Sequence, residues 1–469
     1  MVANVVTNFE AELNDLATAR GASAAPHWGD RARGRKLRTL LIAEMCNPDM
    51  ISVPLEGFSH SDRLRQLTDG HVVTHTRNAE SLEKVGWRRG PRADFSTIDS
   101  ERVARLTWDL AELIVGRGTG WTLKSAMYVP TYYYFEHLIW RQFGARIKAG
   151  EFDLVHRVTP LSPTCPSKLA TWCKQAGVPF VMGPLNGGVP WPKEFDAARR
   201  KEKEWLSYVR GAYRLLPGHR STLRDSAAVM IGSRDTFKQV PRQYQDRCFY
   251  VPENAIDPAR FFKRRQHTAT RPIKVVFLGR LVPYKGADML IEAVAPLAKA
   301  GALTLDILGD GQMMAELKAL VEKLGVADAV RLPGWVKHDQ VQERLAQSDV
   351  FAFPSVREFG GAVALEAMAV GCVPVVLDYG GPAELVTPRT GLLVPMGTRA
   401  QVIERFRAVL SDLAANPAQI EAKSRAAYRR AHEQFTWDAK ARRCLDIYEW
   451  VLDKSRAKPQ YAMPEPDLA

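Results

Sequence analysis

Nowhere does this chain hold an apolar run near the ~20 residues that a membrane-spanning helix requires, so no such span is expected. The leading stretch has no apolar signal core, which predicts no export, and its mix of small and charged residues predicts a loosely ordered leader over 1–35. The six cysteines form no C-x-x-C pair and have no partnering histidine, which argues against a zinc site and suits reduced thiols in a cytoplasm. An Asp-x-Asp pair for a divalent ion is also missing, so metal-independent chemistry is expected, with no cofactor and no metal ligands. Charge of one sign is in excess rather than scarce. Of the formal net charge of +13, residues 1–250 carry +10, from 36 Lys and Arg against 26 Asp and Glu. An anionic partner or acceptor fits that half. A high pI with no special partner fits it equally. The chain shows no basic–aromatic module of a nucleic-acid type, so nucleic acid is not the expected partner.

What the chain does have is ordinary globular material: 469 residues, 46% hydrophobic and 25% charged. That length exceeds a single core and predicts two or three domains. From Ile273 onward, apolar strands at 273–279, 303–309, 329–335, 349–355, 373–378 and 391–395 alternate with helical patterns at 287–299, 313–324, 338–347 and 362–370. Short strands alternating with amphipathic helices predict a doubly wound parallel sheet. The first half repeats the pattern less regularly, with strands at 37–44, 71–76, 152–158, 178–183 and 227–233. The stretch 251–272 has no period and reads as a linker between two such domains.

One segment carries the most chemistry. "FPSVREFGGAVALEAMAVGCVPVV" (353–376) sets Glu358 in a glycine loop and Glu366 inside a helix, between two apolar strands. A strand, glycine turn, helix and strand form a βαβ unit, whose ligands bind beyond the carboxyl ends of the strands. The N–H groups of Gly361, Ala362 and Val363 would favour an anion at the helix start, and glycines let backbone approach it closely. The two glutamates are therefore read as ligand-holding groups before a hydrolytic pair.

Six motifs occur in register: "VVFLGRLVPYKGADMLIEA" (275–293), "DILGDG" (306–311), "VRLPGWV" (330–336), "EFGGAVALE" (358–366), "GGPAELV" (380–386) and "GLLVP" (391–395). Together they resemble the retaining family-4 glycosyltransferases (glycosyl transferases group 1) of the GT-B fold, over roughly residues 250–456 and more weakly at 152–163 and 183–188. The resemblance implies two Rossmann-like domains facing across a cleft: an acceptor-side domain at 36–255, a linker at 256–272 and a donor-binding domain at 273–435. It also implies a closing helix near 436–456 that returns to the first domain, followed by a frayed tail at 457–469. It implies that Arg280 and Lys285 bind the donor diphosphate, that Glu358 lies near the transferred sugar, and that Glu366 holds the ribose hydroxyls. Gly279, Phe359, Gly360, Gly361, Ala362 and Val363 would contact sugar or phosphate, Trp335 and Val336 would border the nucleobase, and His156 would stand near the reacting sugar. The sequence departs from the family pattern in three places. It reads Glu-Phe-Gly-Gly where Glu-Gly-Phe-Gly is usual, it has Ala255 where the linker usually has glycine, and only Gly57 remains where a first-domain Gly-Gly loop should lie.

The implied reaction moves a sugar, with retention, from a nucleotide-diphosphate sugar (UDP rather than GDP) to a hydroxyl of a glycan or lipid-linked acceptor. Surface polysaccharide or glycolipid synthesis is the implied setting. A nucleotide-sugar epimerase of the same fold, needing no acceptor, and a non-catalytic membrane or nucleic-acid binder are the competing readings. In "RRKEKEWLSYVRGAYRLL" (199–216) an apolar face of Trp205, Tyr208, Val209, Ala212 and Leu216 opposes Arg199, Lys203, Arg210 and Arg214. Such a helix suits an anionic membrane surface, which would make the protein peripheral on the inner face of the plasma membrane. It equally suits packing on its own sheet with solvated arginines.

Overall fold

A computed structural model describes residues 35–103, 105, 121–196, 199, 214 and 216–461, all but Arg35 within one compact unit that begins at Lys36. The leader, most of the 199–216 segment and the tail beyond 461 lie outside the described residues.

The described strands form two all-parallel sheets. The first runs β3-β2-β1-β4-β5-β6-β7, built from β1 (Arg38–Ala43), β2 (Asp69–His75), β3 (Phe95–Ile98), β4 (Leu154–Thr159), β5 (Phe180–Leu185), β6 (Ala228–Ile231) and β7 (Cys248–Tyr250). The second runs β10-β9-β8-β11-β12-β13, from β8 (Ile273–Leu278), β9 (Leu303–Leu308), β10 (Val330–Gly334), β11 (Val350–Phe353), β12 (Val373–Leu377) and β13 (Leu392–Val394). Every named pairing is parallel. Each sheet thus starts in its middle, winds to one edge, then returns to the centre and winds to the other. In such a doubly wound sheet the crevice opens where the order reverses, between β1 and β4 in the first lobe and between β8 and β11 in the second.

The central strands are continuous apolar runs because both faces are covered. β11 and β12 are buried along their whole length, and their residues join the core of the second lobe with the helix Ala287–Lys299. A separate core beneath the first sheet gathers Phe135, Ile139 and Phe143 from the long helix Trp121–Lys148 against Val155 and Phe180. Two strands, β3 and β7, were not anticipated from the sequence. With four and three residues at the two sheet edges, they are too short to show a period.

The 251–272 segment is bound to the second lobe. Phe261 and Ala269 enter its core, and the Arg265 guanidinium donates to Asp349 Oδ1 at 2.8 Å and to Glu421 Oε1 at 2.8 Å. Asp349 also accepts from Lys274 N at 2.8 Å and meets His267 Nε2 at 2.9 Å. A buried carboxylate so fully partnered is stable where a lone one would not be. The chain then closes on itself: the helix Trp437–Leu452 lies on the first lobe, with Tyr448 Oη 2.5 Å from His156 Nδ1 and Cys444 Sγ 3.4 Å from His60 Nε2. No helix among the described residues is long and apolar enough to cross a membrane.

Candidate functional site

At the reversal point of the second sheet, two loops rise side by side. The loop after β8 carries Gly279 and Arg280 and closes in a short turn, Pro283–Lys285, ended by Gly286. The loop after β11 carries Glu358 to Gly361 and feeds the helix Ala362–Val370. Because β8 and β11 are neighbours, the topology brings together residues more than seventy positions apart in sequence. The Lys285 ammonium pairs directly with Glu358 Oε2. It also lies over the Phe353 ring, 5.1 Å from its centroid. Arg280 Nη2 donates to Tyr284 Oη at 2.8 Å and is otherwise exposed.

The 362–370 helix starts at Gly361, whose φ of +68° is a conformation that disfavours side chains. Neither a side-chain cap nor an acidic residue occupies its first turn, so no capping side chain of its own competes for the opening N–H groups. Gly360 is closely seated for a different reason: a Cβ there would stand 1.9 Å from the side-chain amide Nδ2 of Asn254, which would have to move. Ala362 and Val363 are half-buried at the same helix start, and Phe359 is half-buried beside it. Glu366 is only partly covered, yet burial raises its pKa to about 7, with Arg260 opposing that rise. Trp335 is 71% exposed in the loop after β10, with Val336 half-buried beside it.

His156 departs from its expected place. It lies in the middle of β4, fully buried. Its Nε2 meets the Gly183 carbonyl at 2.8 Å while Nδ1 meets the Tyr448 hydroxyl. The carbonyl can only accept, so Nε2 carries the proton and Nδ1 accepts from Tyr448. Burial, in spite of the Gly183 bond, lowers its pKa to about 4. With no exposed surface and both ring nitrogens engaged, His156 ties β4 to β5 and to the closing helix.

The structure adds residues that the sequence did not signal. Trp191, from the first lobe, stands edge-on to Tyr284 with centroids 6.0 Å apart. The Arg357 guanidinium lies 5.1 Å from the Trp191 ring and 5.5 Å from Phe359. Tyr379 donates to the Pro190 carbonyl at 2.7 Å, and Arg234 of the first lobe presents its N–H to Glu384 Oε1 at 2.8 Å. Burial raises the Glu384 pKa to about 7. These contacts join the lobes across the cleft beside the Lys285–Glu358 pair. Tyr284 could have been suspected as the immediate neighbour of Lys285; Trp191, Arg357 and Arg234 carry no local mark.

Residues 259–429 match the family described as glycosyl transferases group 1. The chain is 33% identical over 182 residues to the 2-deoxystreptamine glucosyltransferase of Streptomyces kanamyceticus, covering 38% of this chain and 46% of that protein. It is 28% identical over 295 residues to the GDP-mannose-dependent monoacylated alpha-(1-6)-phosphatidylinositol monomannoside mannosyltransferase of Corynebacterium glutamicum, covering 60% of this chain and 73% of that protein. The matched stretch spans less than half the length of several of these curated relatives, at 46%, 41% and 42%. Among solved structures, the sucrose-phosphate synthase of Thermosynechococcus elongatus is similar with a TM-score of 0.58 at 15% identity, over 89% of this chain and all of that one. Anabaena HepE in complex with UDP and glucose is similar with a TM-score of 0.52 at 16% identity, over 88% of this chain and 99% of that one. At those identities the likeness establishes the two-lobed fold.

Proposed function

We propose that this chain, whose residues 259–429 match the glycosyl transferases group 1 family, transfers a sugar, with retention, from a nucleotide-diphosphate sugar to an acceptor hydroxyl. The observation that carries this reading is the convergence of Arg280, Lys285, Glu358 and the uncapped start of the 362–370 helix at one switch point. Two fixed cations and a helix N-terminus suit a diphosphate; a carboxylate in contact with Lys285 suits the hydroxyls of the sugar attached to it. Arg280 and Lys285 stabilise the charge that grows on the phosphate as the sugar–phosphate bond breaks. The acceptor oxygen then bonds to the anomeric carbon on the face the phosphate leaves, and its proton passes to the departing phosphate oxygen. The products are the glycoside and the nucleoside diphosphate. The cations and the helix start supply the positive charge that a divalent ion would otherwise bring.

UDP is the proposed carrier. Glu366, further along the same helix, is the proposed anchor for the ribose diol, as a carboxylate accepting both hydroxyls. The acceptor is proposed to be a glycan or lipid-linked glycan on the inner membrane face, in line with the phosphatidylinositol-based acceptor in the name of one relative.

Calorimetric titration of the full chain with UDP, GDP and ADP tests the site. UDP binding alone, lost in Arg280→Ala, is expected; no binding of any of the three removes the reading. The pH dependence follows from Glu366. With a pKa near 7 in the free protein, the carboxylate form grows as pH rises, so UDP affinity is expected to climb through neutrality and the climb to vanish in Glu366→Gln. A flat wild-type profile on that limb would remove Glu366 from the ribose.

A further inference from the structure

One stretch of the first lobe crosses to the second. The chain after β5, residues 186–196, is fixed at its base to its own lobe. Asn186 N donates to the Leu161 carbonyl at 2.7 Å, Gly187 N to Thr236 Oγ1 at 2.8 Å and Gly188 N to Asn186 Oδ1 at 2.9 Å. Its far end lies on the other lobe. The Pro190 carbonyl accepts from the Tyr379 hydroxyl, and Phe195, 7% exposed, belongs to the second lobe's core. Trp191 stands between these two anchors, half-buried and packed against the same core.

The Trp191 ring meets both loops of the candidate site at once. It is edge-on to Tyr284 at an interplanar angle of 87°, and the Arg357 guanidinium lies 5.1 Å from its centroid. Tyr284 is the residue before Lys285, and Arg357 is the residue before Glu358. The two loops are also joined to each other at this point. The Tyr284 carbonyl accepts from Val356 N at 2.9 Å and from Ser355 Oγ at 3.3 Å. Because Arg357 lies 5.5 Å from the Phe359 ring as well, its guanidinium contacts one aromatic ring from each lobe.

The Lys285–Glu358 pair bridges the two loops, so it persists only while their separation is kept. An indole has a rigid face and two rotatable bonds, so ordering it costs little entropy. Its edge-to-face contact and its guanidinium contact are both directional. With the flanking chain tied to the first lobe on one side and to the second lobe's core on the other, the ring cannot simply follow either loop. We infer that Trp191 is a positioning residue for the loops after β8 and β11, setting the Lys285–Glu358 pair from the first lobe. It acts through Tyr284 and Arg357, so a first-lobe side chain governs how well the second lobe holds its ligand.

The link to ligand binding rests on the proposed donor site, whereas the positioning itself is read without nucleotide. Hydrogen exchange is measured on the full chain. Trp191→Ala is expected to speed exchange at 280–286 and 355–361 by about 2- to 30-fold, the range of a coupling carried by one packed contact. Exchange in β9, remote from the ring, should not change, and Trp191→Phe should restore most of the loop protection. Unchanged loops, or equal speeding across the whole second lobe, overturn the positioning role. Arg357→Ala, a half-buried change, should loosen 355–361 by itself; no effect there overturns the role even if Trp191→Ala does not fold. UDP is then titrated into the same proteins. Affinity is expected to fall about 2- to 30-fold in Trp191→Ala and to recover largely in Trp191→Phe. The double variant with Arg357→Ala should lose little more than either single one, because both act through one contact. Losses that multiply overturn that shared route, and unchanged affinity beside loosened loops overturns the control of binding. If UDP does not bind the unaltered chain while Trp191→Ala still loosens both loops, the donor site falls and the positioning role stands.

Discussion

Arg280 and Lys285 differ in how they are held, although the sequence places them five positions apart. Lys285 is covered and committed to Glu358. Arg280 is exposed and, among the described residues, bonded to the neutral Tyr284 hydroxyl. A guanidinium without a carboxylate partner keeps its charge available for phosphate, and its planar fork suits two phosphate oxygens. Arg280→Ala is therefore expected to cost about 10²–10³ in kcat with little change in unfolding temperature, since an exposed side chain contributes little to the core. Parallel kinetics and thermal melts check this. A variant that melts early but turns over normally once folded would reverse the assignment.

At the scale of elements, the 358–361 loop is a close fit, against a side-chain amide on one side and backbone on the other. Gly360 faces Asn254, and a Cβ at Gly381 would stand 1.8 Å from the Phe359 carbonyl. Loops packed this tightly have discrete positions, so a small change on one side moves the other. Gly360→Ala is expected to destabilise by about 1–3 kcal/mol and to weaken UDP binding. Adding Asn254→Ala should return part of both losses, because the clash involves that one amide. Denaturant unfolding and UDP titration of the two single variants and the double variant measure the coupling. Strictly additive losses would show that the contact does not set the loop.

Over the whole molecule, the last helix adds to the contacts that join the two lobes. It leaves the second lobe at Thr436, beside a backbone bridge to Ile256, and lays Lys440, Cys444 and Tyr448 onto the first. Tyr448→Phe removes the donor to His156 Nδ1 and leaves a buried nitrogen unpaired. The expected cost is about 1–3 kcal/mol, seen as a lower unfolding midpoint, with UDP affinity at neutral pH nearly unchanged. A large loss of affinity with no loss of stability would instead return His156 to the chemistry.

The sequence alone determined the parallel α/β architecture of the second lobe, because short fully apolar strands between amphipathic helices admit few other arrangements. It also singled out the loops read as the candidate site, since a glycine turn between a buried strand and a helix start is a local pattern. It under-read the first lobe, where β3 and β7 are brief edge strands, and it did not register that His156 is buried between the Gly183 carbonyl and the Tyr448 hydroxyl, partners 27 and 292 positions away. Only the tertiary structure put Glu358 against Lys285, Arg357 over Trp191, and Lys440 against the Glu253 carbonyl. Those contacts join residues tens to hundreds of positions apart, so no local periodicity records them. They exist because the winding of the sheets and the return of the last helix bring those elements to one place.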